Sequence, residues 1–198
     1  MVRSKKLADE AFVIYNSGKE FAYDHVARDK VVAFAKGTDT RINIKVNAQR
    51  RSMKGILLLF VEPYPAGTRD SEKYIFPDLK KIIVTINESP NMLYNNGIES
   101  REIWSEVSRF FMKEEHKPQH MTLQKFYAKN KFGLLIDLRS MESQKMHGSG
   151  TRIVNSTDGV QLEIEQDRKG SGQVNCHVYI ISDSQFNIFN KQLDCVQY

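Results

Sequence analysis

Two histidines have the spacing of metal ligands. His116 and His120 are four residues apart, which would place two ligands on one face of a helix. Pro118 lies between them, and Glu115 precedes His116, whereas the zinc-protease motif carries its glutamate after the first histidine. We interpret this segment as a solvated loop and predict no metal site. His177 lies on the polar face of its predicted strand, and we interpret it as a surface or interface residue.

Three carboxylates lie on predicted strands, where a glycosidase would hold its acid and its base. They are Asp137, Glu163 and Glu165. Glu163 and Glu165 alternate with Leu162 and Ile164, which is typical of an exposed strand face. The sequence therefore predicts no catalytic pair, no enzymatic activity and no cofactor.

The segment Met146–Gly150 contains a serine between two glycines. Its spacing is not that of the G-x-S-x-G nucleophile elbow, and a phosphate-binding loop would need Gly-Lys-Ser/Thr leading into a helix. The glycines more simply allow the backbone angles that a loop requires. We interpret it as a recognition or subunit-contact loop, with the candidate contact residues Met146, His147, Gly148, Ser149, Gly150, Thr151 and Arg152.

Basic residues occur in three short groups, at Arg3–Lys6, Arg50–Lys54 and Lys80–Lys81. They lack the interleaved aromatic residues on which bases stack. The net charge of +5 arises from 29 basic and 24 acidic residues that are mixed along the chain. We therefore expect a mixed-sign surface, and nucleic-acid contact that is at most weak and non-specific.

The elements that position these residues are mainly strands. Thr40–Asn47 alternates strictly, with Ile42, Ile44 and Val46 on one side. Met53–Glu62 is apolar on both sides, which predicts a central strand or one covered on both faces. The predicted strands are 31–35, 40–47, 53–62, 79–87, 132–139, 160–167, 173–181 and 184–189, with shorter candidates at 11–15, 74–76 and 92–94.

One region has a helical period instead. Ser100 is a candidate cap for a helix whose apolar face holds Ile103, Trp104, Val107, Phe110 and Phe111. Thr122 is a candidate cap for a short second helix. Because helices do not alternate with strands, we predict an all-β protein: an eight-stranded antiparallel jelly-roll sandwich with a helical insertion near residues 100–128.

Length and composition predict one domain with short additions. We place an N-terminal arm or linker at 1–29, the jelly-roll domain at 30–190 and a C-terminal tail at 191–198. The two cysteines, Cys176 and Cys195, make no disulfide framework. The N-terminus has no apolar signal core, and no apolar run approaches membrane-spanning length. We expect an intracellular protein that is not secreted and not inserted in a membrane.

Three stretches resemble a known family. Leu135–Glu165, Val174–Asp183 and Asn47–Phe60 are similar to the C-terminal jelly roll of the double jelly-roll major capsid proteins of Polinton/Maverick and adintovirus-like elements. The resemblance implies a trimer whose paired jelly rolls form pseudo-hexagonal capsomers of an icosahedral shell around double-stranded DNA. It implies no catalytic residues. The family has two jelly rolls and this chain has room for one, which fits a fragment, a short product or a remnant that no longer assembles.

We therefore predict a structural capsid protein located in the virion. Its expected partners are further copies of itself, as a homotrimer, and other capsid proteins such as a penton protein. The alternative is a jelly-roll binding module that recognises carbohydrate or nucleic acid through the loop at 140–158 or the basic groups.

Overall fold

The computed structural model describes residues 19–46, 49–64, 73–86, 89–90, 96–111, 122–128, 131–139, 150–153, 159–167, 169–189 and 192–197. In these ranges the chain forms eleven strands and two helices. In chain order they are β1 (Lys19–Ala35), β2 (Arg41–Val46), β3 (Arg50–Val61), β4 (Leu79–Ile86), β5 (Ser89–Pro90), β6 (Ile98–Glu99), α1 (Ile103–Phe111), α2 (Leu123–Ala128), β7 (Leu134–Asp137), β8 (Thr151–Ile153), β9 (Val160–Gln166), β10 (Gln173–Phe189) and β11 (Gln192–Gln197).

The strands form two antiparallel sheets. Sheet A has the order β1-β10-β3-β7, with β11 beside β10 and β8 beside β3. Sheet B has the order β2-β9-β4-β5, with β6 beside β4. The pairs are nested along the chain: β1 with β10, β2 with β9, β3 with β7, and β4 with β5. A folded antiparallel ribbon rolled into two sheets gives this nesting, so the predicted jelly roll is confirmed.

The core lies between the two sheets and is built by alternation. Along β2 every second residue is buried, and β9 repeats the pattern from the opposite strand. Sheet A contributes the matching side chains from β3, β10 and β7. The fully or nearly fully buried side chains of this core include Ile44, Ile56, Leu58, Phe60, Ile82, Val84, Leu134, Ile136, Leu162, Ile164, Val174 and Val178.

The helices lie between β6 and β7, inside the predicted insertion. Helix α1 begins at Ile103, whereas a cap at Ser100 would start it at residue 101. Before the helix, the Glu102 carboxylate accepts a hydrogen bond from the Glu99 N–H at 3.0 Å. Thr122 caps α2 as predicted, because its Oγ1 accepts a bond from the Lys125 N–H at 3.3 Å. Helix α1 packs along β7 and so covers that edge of sheet A.

Several predicted boundaries were wrong. The first strand begins at Lys19 and not at Val31, so residues 19–29, predicted as arm or linker, pair with β10. The predicted strands 173–181 and 184–189 are one continuous strand, β10, and the predicted tail contains β11. At 74–76 there is only a bridge from Tyr74 to Lys131. The segments 11–15 and 92–94 lie outside the described residues, and the division into domains stays a prediction.

The first half of β1 was missed because Tyr23–Lys30 is rich in polar residues. An edge strand tolerates such residues, since only one of its sides is paired and its outer face meets water. The pairing itself comes from the register with β10, in which Tyr23 opposes Ser184 and Val26 opposes Ile181.

Loss of a core side chain tests the sandwich. Leu58→Ala removes a side chain with no solvent exposure, and we expect it to lower the free energy of unfolding by about 2–5 kcal/mol. Asn43→Ala, on the exposed side of β2, should change it by less than about 0.5 kcal/mol. Urea unfolding followed by fluorescence measures both; equal effects of the two substitutions would contradict this core.

Candidate assembly surface

The outward-facing side chains of sheet B are mostly polar. Strand β2 presents Arg41, Asn43 and Lys45, and they are exposed. Arg41 reaches across to β9, where its guanidinium lies 3.4 Å from Glu163 and 3.2 Å from Glu165. These two glutamates are therefore surface ion-pair partners, which agrees with the exposed strand face predicted for them. This face is suited to water.

The outward-facing side chains are mostly apolar over the part of sheet A where β1, β10, β3 and β7 lie side by side. The strand registers place these side chains next to one another on four strands. His177 on β10 lies between Val31 on β1 and Leu59 on β3. Leu57 on β3 lies between Tyr179 on β10 and Leu135 on β7. Val26 and Val31 are 54% and 45% exposed. We call this surface the apolar face; it consists of Val26, Arg28, Val31, Ala33, Leu57, Leu59, Gly133, Asn175, His177 and Tyr179. It borders Val61, Leu135 and Ile181, which are already buried in the isolated chain.

The apolar face is comparable in size with the largest apolar patch of a typical monomer. Four strands about 4.8 Å apart and eight residues rising about 3.3 Å each give its outline roughly 500 Å², and the part over Leu135 is already buried. The largest apolar patch of a typical monomer is roughly 300–600 Å² and is often functional. Leu57 and Leu59 at its centre are half-buried in the isolated chain. An antiparallel sheet that faced water on this side would alternate apolar with polar residues, as sheet B does.

A charged cluster of Lys54, Asp24 and Asp183 lies at one end of the apolar face. Lys54 is skipped in the register between β3 and β10, where Gly55 opposes Ile181 and Met53 opposes Ser182. Its ammonium lies 2.6 Å from a carboxylate oxygen of Asp24 and 2.6 Å from one of Asp183. Asp24 and Asp183 oppose each other directly in the pairing of β1 with β10. Their like charges would repel, and Lys54 compensates them.

Lys54 stays charged in this position. Burial alone would lower the pKa of Lys54, but hydrogen bonds and charges from Asp183 and Asp24 outweigh burial and raise the pKa above its ordinary 10.5. The side chain of Lys54 is only 4% exposed, whereas that of Asp24 is 50% exposed. Lys54 therefore cannot contact phosphates as part of the basic group Arg50–Lys54.

The candidate contact loop is attached to this cluster at its C-terminal end. Ser52 donates a hydrogen bond to Asp183 and accepts one from the Gly150 N–H at 2.7 Å. A Cβ at Gly150 would lie 2.1 Å from the Met53 carbonyl oxygen, so only glycine fits there. Thr151 pairs with Met53 and donates a hydrogen bond to the Leu138 carbonyl at 2.6 Å.

Of the seven candidate contact residues, the structure describes three. Gly150 and Thr151 are fixed against β3 and against Leu138, which follows β7, and Arg152 between Thr151 and Ile153 is exposed. Met146, His147, Gly148 and Ser149 lie outside the described residues. Contact of this loop with another subunit stays a prediction.

The remaining candidates for chemistry have structural roles or lie outside the described residues. Asp137 forms a buried ion pair with Arg139, whose Nε and terminal nitrogen lie 3.0 Å and 2.8 Å from its two carboxylate oxygens. Cys176 is in the core, and burial raises the pKa of its thiol to about 12, so it acts as the predicted small hydrophobe. His116 and His120 are not among the described residues.

Within the described ranges, no group of three or more His, Cys, Asp or Glu side chains is arranged to hold a metal ion. No helix described there has the length and apolar character needed to span a membrane.

Sequence reasoning detected part of this surface. Met53–Glu62 was predicted to be a central strand or one covered on both faces, because it is apolar on both sides. It is the inner strand β3, between β10 and β7, and Leu57 and Leu59 lie at the centre of the apolar face. Sequence reasoning missed the charged cluster, because nothing in the sequence indicated that Asp24 and Asp183 would oppose each other beside Lys54. His177, interpreted as a surface or interface residue, lies within the apolar face.

Comparison with solved structures identifies proteins of the same fold, and these are viral capsid proteins. A chain of the Sputnik virophage matches with a TM-score of 0.56 and 9% identity over 91% of this chain and 39% of that one. A chain of the PBCV-1 virus capsid matches with a TM-score of 0.55 and 11% identity, over 95% of this chain and 54% of that one. The mavirus major capsid protein matches with a TM-score of 0.50 and 6% identity, over 91% of this chain and 41% of that one.

At these identities the likeness shows the fold alone. This chain spans about half the length, or less, of the capsid chains that it matches, between 39% and 54%. No protein-family model and no curated protein matches the sequence.

Removal of the Lys54 ammonium tests the charged cluster. Lys54→Met leaves Asp24 and Asp183 facing each other, and because Asp24 is half exposed we expect a loss of about 1–3 kcal/mol in the free energy of unfolding at pH 7. Since its pKa is raised in the folded protein, the stabilisation by Lys54 is complete below pH 10.5 and is lost as the pH rises further.

Urea unfolding of wild type and Lys54→Met across this pH range measures the difference. Lys80→Met is the matched control, because Lys80 is exposed, and it should leave the stability almost unchanged. A Lys54→Met protein as stable as wild type at pH 7 would show that the cluster does not hold β1 and β10 to β3.

Proposed function

We propose that this chain is a structural capsid protein: a jelly-roll subunit or domain of a major capsid protein that self-associates into the capsomers of an icosahedral shell. Its place is the virion, and we assign it to the double jelly-roll proteins of Polinton/Maverick and adintovirus-like elements. It has no catalytic role and uses no cofactor.

The apolar face of sheet A carries this proposal. Sheet A and sheet B belong to one sandwich, yet the outer face of sheet B presents ion pairs such as Arg41 with Glu163 and Glu165 to water, whereas the centre of the outer face of sheet A is apolar. In the described part of the chain, Leu57, Leu59 and Val31 keep part of their surface in water, and contact with another molecule would bury it. A shell protein needs such a surface, whereas a monomeric binding module does not.

A second copy of the chain is the occupant that fits best. The chain is basic overall, with a net charge of +5, so two copies repel each other unless they meet where charge is low. The apolar face includes one charged residue, Arg28, and its centre is uncharged. It therefore lets like-charged copies approach with little electrostatic cost.

The area of the face bears on the symmetry. A stable interface buries about 800 Å² on each partner, and the apolar face supplies at most roughly 500 Å², so a further patch must contribute. In a three-fold assembly the contacts are head-to-tail, and the face of one copy meets a different patch of the next. We assign that second patch to the loop Met146–Arg152 and the assembly to a homotrimer.

The length of the chain bears on the rest of the shell. It spans 39% of the matched Sputnik virophage chain and 54% of the PBCV-1 chain. A pseudo-hexagonal capsomer would take its second set of jelly rolls from another domain or another chain. The other expected partners are neighbouring capsid proteins such as a penton protein, and nucleic acid only through weak, non-specific contact.

A lysine in the apolar face tests self-association. We expect the wild-type chain to reach trimer mass at high concentration, measured by light scattering after size-exclusion chromatography. Leu59→Lys should shift it to monomer, because it puts a charge at the centre of a surface that must lose water. Ile83→Lys is the matched control: Ile83 is also half-buried, but it lies on the outer face of sheet B, and trimer mass should persist.

Circular dichroism checks that both variants keep the β spectrum. A wild-type chain that stays monomeric at every concentration would contradict the proposal. So would a Leu59→Lys variant that associates as well as wild type. A monomer that binds DNA or a glycan through 140–158 would favour the binding-module alternative instead.

A further inference from the structure

We propose that the outer edge of β1 pairs with β1 of a second copy, antiparallel and about a two-fold axis at Val26. This contact lies at the edge of sheet A and not on the apolar face, so it goes beyond the proposed self-association. It would join one trimer to the next, and that role alone rests on the proposed function.

Strand β1 is an edge strand of sheet A. Among the described strands it pairs with β10 alone, over the whole of Lys19–Ala35. It has 17 residues, whereas a typical strand has about five or six, and it contains no proline. A long edge strand presents a row of backbone N–H and C=O groups, which are a template for pairing with another strand. The chain thus has an edge on which a sheet can extend into a second molecule.

Exposed apolar side chains are concentrated on this strand. Of the large apolar side chains that the described residues expose, Phe21, Val26 and Val31 belong to β1, and Leu123 belongs to α2. Val26 is the most exposed of them, at 54%. An edge strand that stays unpaired is usually protected by charged side chains or proline. At Val26 the edge has neither, so this position favours contact with another molecule.

The regular part of β1 is residues 19–28. Its register with β10 is continuous there, and the one shift lies between Arg28 and Lys30. The outward-facing side chains near the end of this part are exposed; they are Ala22, Asp24, Val26 and Arg28. A strand that pairs with the outer edge of β1 would therefore lie beside these four side chains.

The regular part is self-complementary about Val26. In an antiparallel pair with the axis at this residue, Val26 opposes itself. Asp24 of one copy opposes Arg28 of the other, and the axis repeats this pair on the other side. Opposite charges directly across an antiparallel pair stabilise it, whereas like charges destabilise it. The two valines cover each other between the two ion pairs.

Neighbouring registers fit less well. An axis at Asp24 would oppose the carboxylates of the two copies to each other. An axis at His25 would oppose Asp24 to Val26 and would leave Arg28 beside Ala22. Of these three registers, the one centred at Val26 matches opposite charges and also pairs apolar with apolar side chains.

Both charged groups are accessible to a second copy. Arg28 is exposed, and it is the charged residue of the apolar face. The side chain of Asp24 is 50% exposed, and Lys54 contacts its Oδ1 at 2.6 Å. The second carboxylate oxygen of Asp24 can then accept a hydrogen bond from a guanidinium across the axis. The charged cluster and the edge contact are therefore compatible.

The contact is short, which fits a junction between larger units. Because the regular part ends at Arg28, the two strands oppose each other regularly over residues 24–28 of each copy. So short a ladder buries much less than the roughly 800 Å² that each partner buries in a stable interface. A three-fold ring is closed, so a shell needs a second kind of contact between rings, and several weak contacts act together once the rings have formed.

Disulfide capture of the full chain tests this pairing, because it detects a contact too weak for light scattering. In a Cys195→Ser background, Val26→Cys places the thiols of two copies opposite each other, with Cβ atoms about 4.5–5.5 Å apart. We expect air oxidation to form the covalent dimer at least about tenfold faster than for Ala22→Cys. Ala22 is the matched control, since it is exposed on the same side of β1. Its two copies would lie about 26 Å apart.

A charge reversal tests the register. Added to the Val26→Cys protein, Arg28→Asp opposes two carboxylates on each side of the axis, and the rate of cross-linking should fall at least about threefold. Arg101→Asp makes the same change in net charge at an exposed position before α1, and it should change the rate by less than about twofold. Circular dichroism checks that each variant keeps the β spectrum.

The outcomes separate this inference from the proposed function. Cross-linking of Val26→Cys that is no faster than that of Ala22→Cys, or that Arg28→Asp leaves unchanged, overturns the edge pairing; trimer mass in the same protein would leave the proposed function intact. In a Leu59→Lys background the preference for Val26→Cys should persist, because the edge does not use Leu59. Its loss there would show that the thiols meet through the apolar face, and would also overturn the edge pairing. A preference that persists in a chain that never reaches trimer mass supports the edge pairing and contradicts the proposed function.

Discussion

Strand β3 has apolar side chains on both of its faces, and each face is more stable when it is covered from water. The arrangement of the two sheets around β3 follows from this constraint. Its inward side chains, among them Ile56, Leu58 and Phe60, are covered by sheet B and form the core of the sandwich. Its outward side chains, Leu57 and Leu59, are covered only in part by the described residues. Contact with another molecule, as proposed above, would cover the part of this surface that the described residues leave in water.

Charged groups surround this surface without entering its centre. At one end of the face, Lys54, Asp24 and Asp183 hold the strands β1, β3 and β10 to one another. A second ion pair is buried beside β3: Asp137 is the last residue of β7, and its partner Arg139 follows two residues later. Buried ion pairs add little net stability compared with apolar packing, but loss of one partner is costly. They therefore define the strand register and the boundary of the apolar face more than they strengthen the fold.

The sandwich could be predicted from the sequence, because its main signals are local patterns. They are the alternation of buried and exposed residues in β2 and β9, and the apolar residues on both sides of β3. The sequence also placed the helical insertion, whose Thr122 cap is a local interaction. It failed for the first half of β1, where polar residues gain strand structure only from pairing with β10. It failed also for Lys54, which is buried because two aspartates from distant parts of the chain meet it. Such contacts depend on strand register, which no single-sequence pattern contains.

Cryo-electron microscopy of the assembled protein is the most direct test of the apolar face as an assembly surface. The expected map has density from a neighbouring copy over Leu57, Leu59 and His177, while the outer face of sheet B, with Arg41 and its glutamate partners, faces solvent. A map in which the molecules meet through sheet B, and Leu57 and Leu59 face solvent, would contradict it.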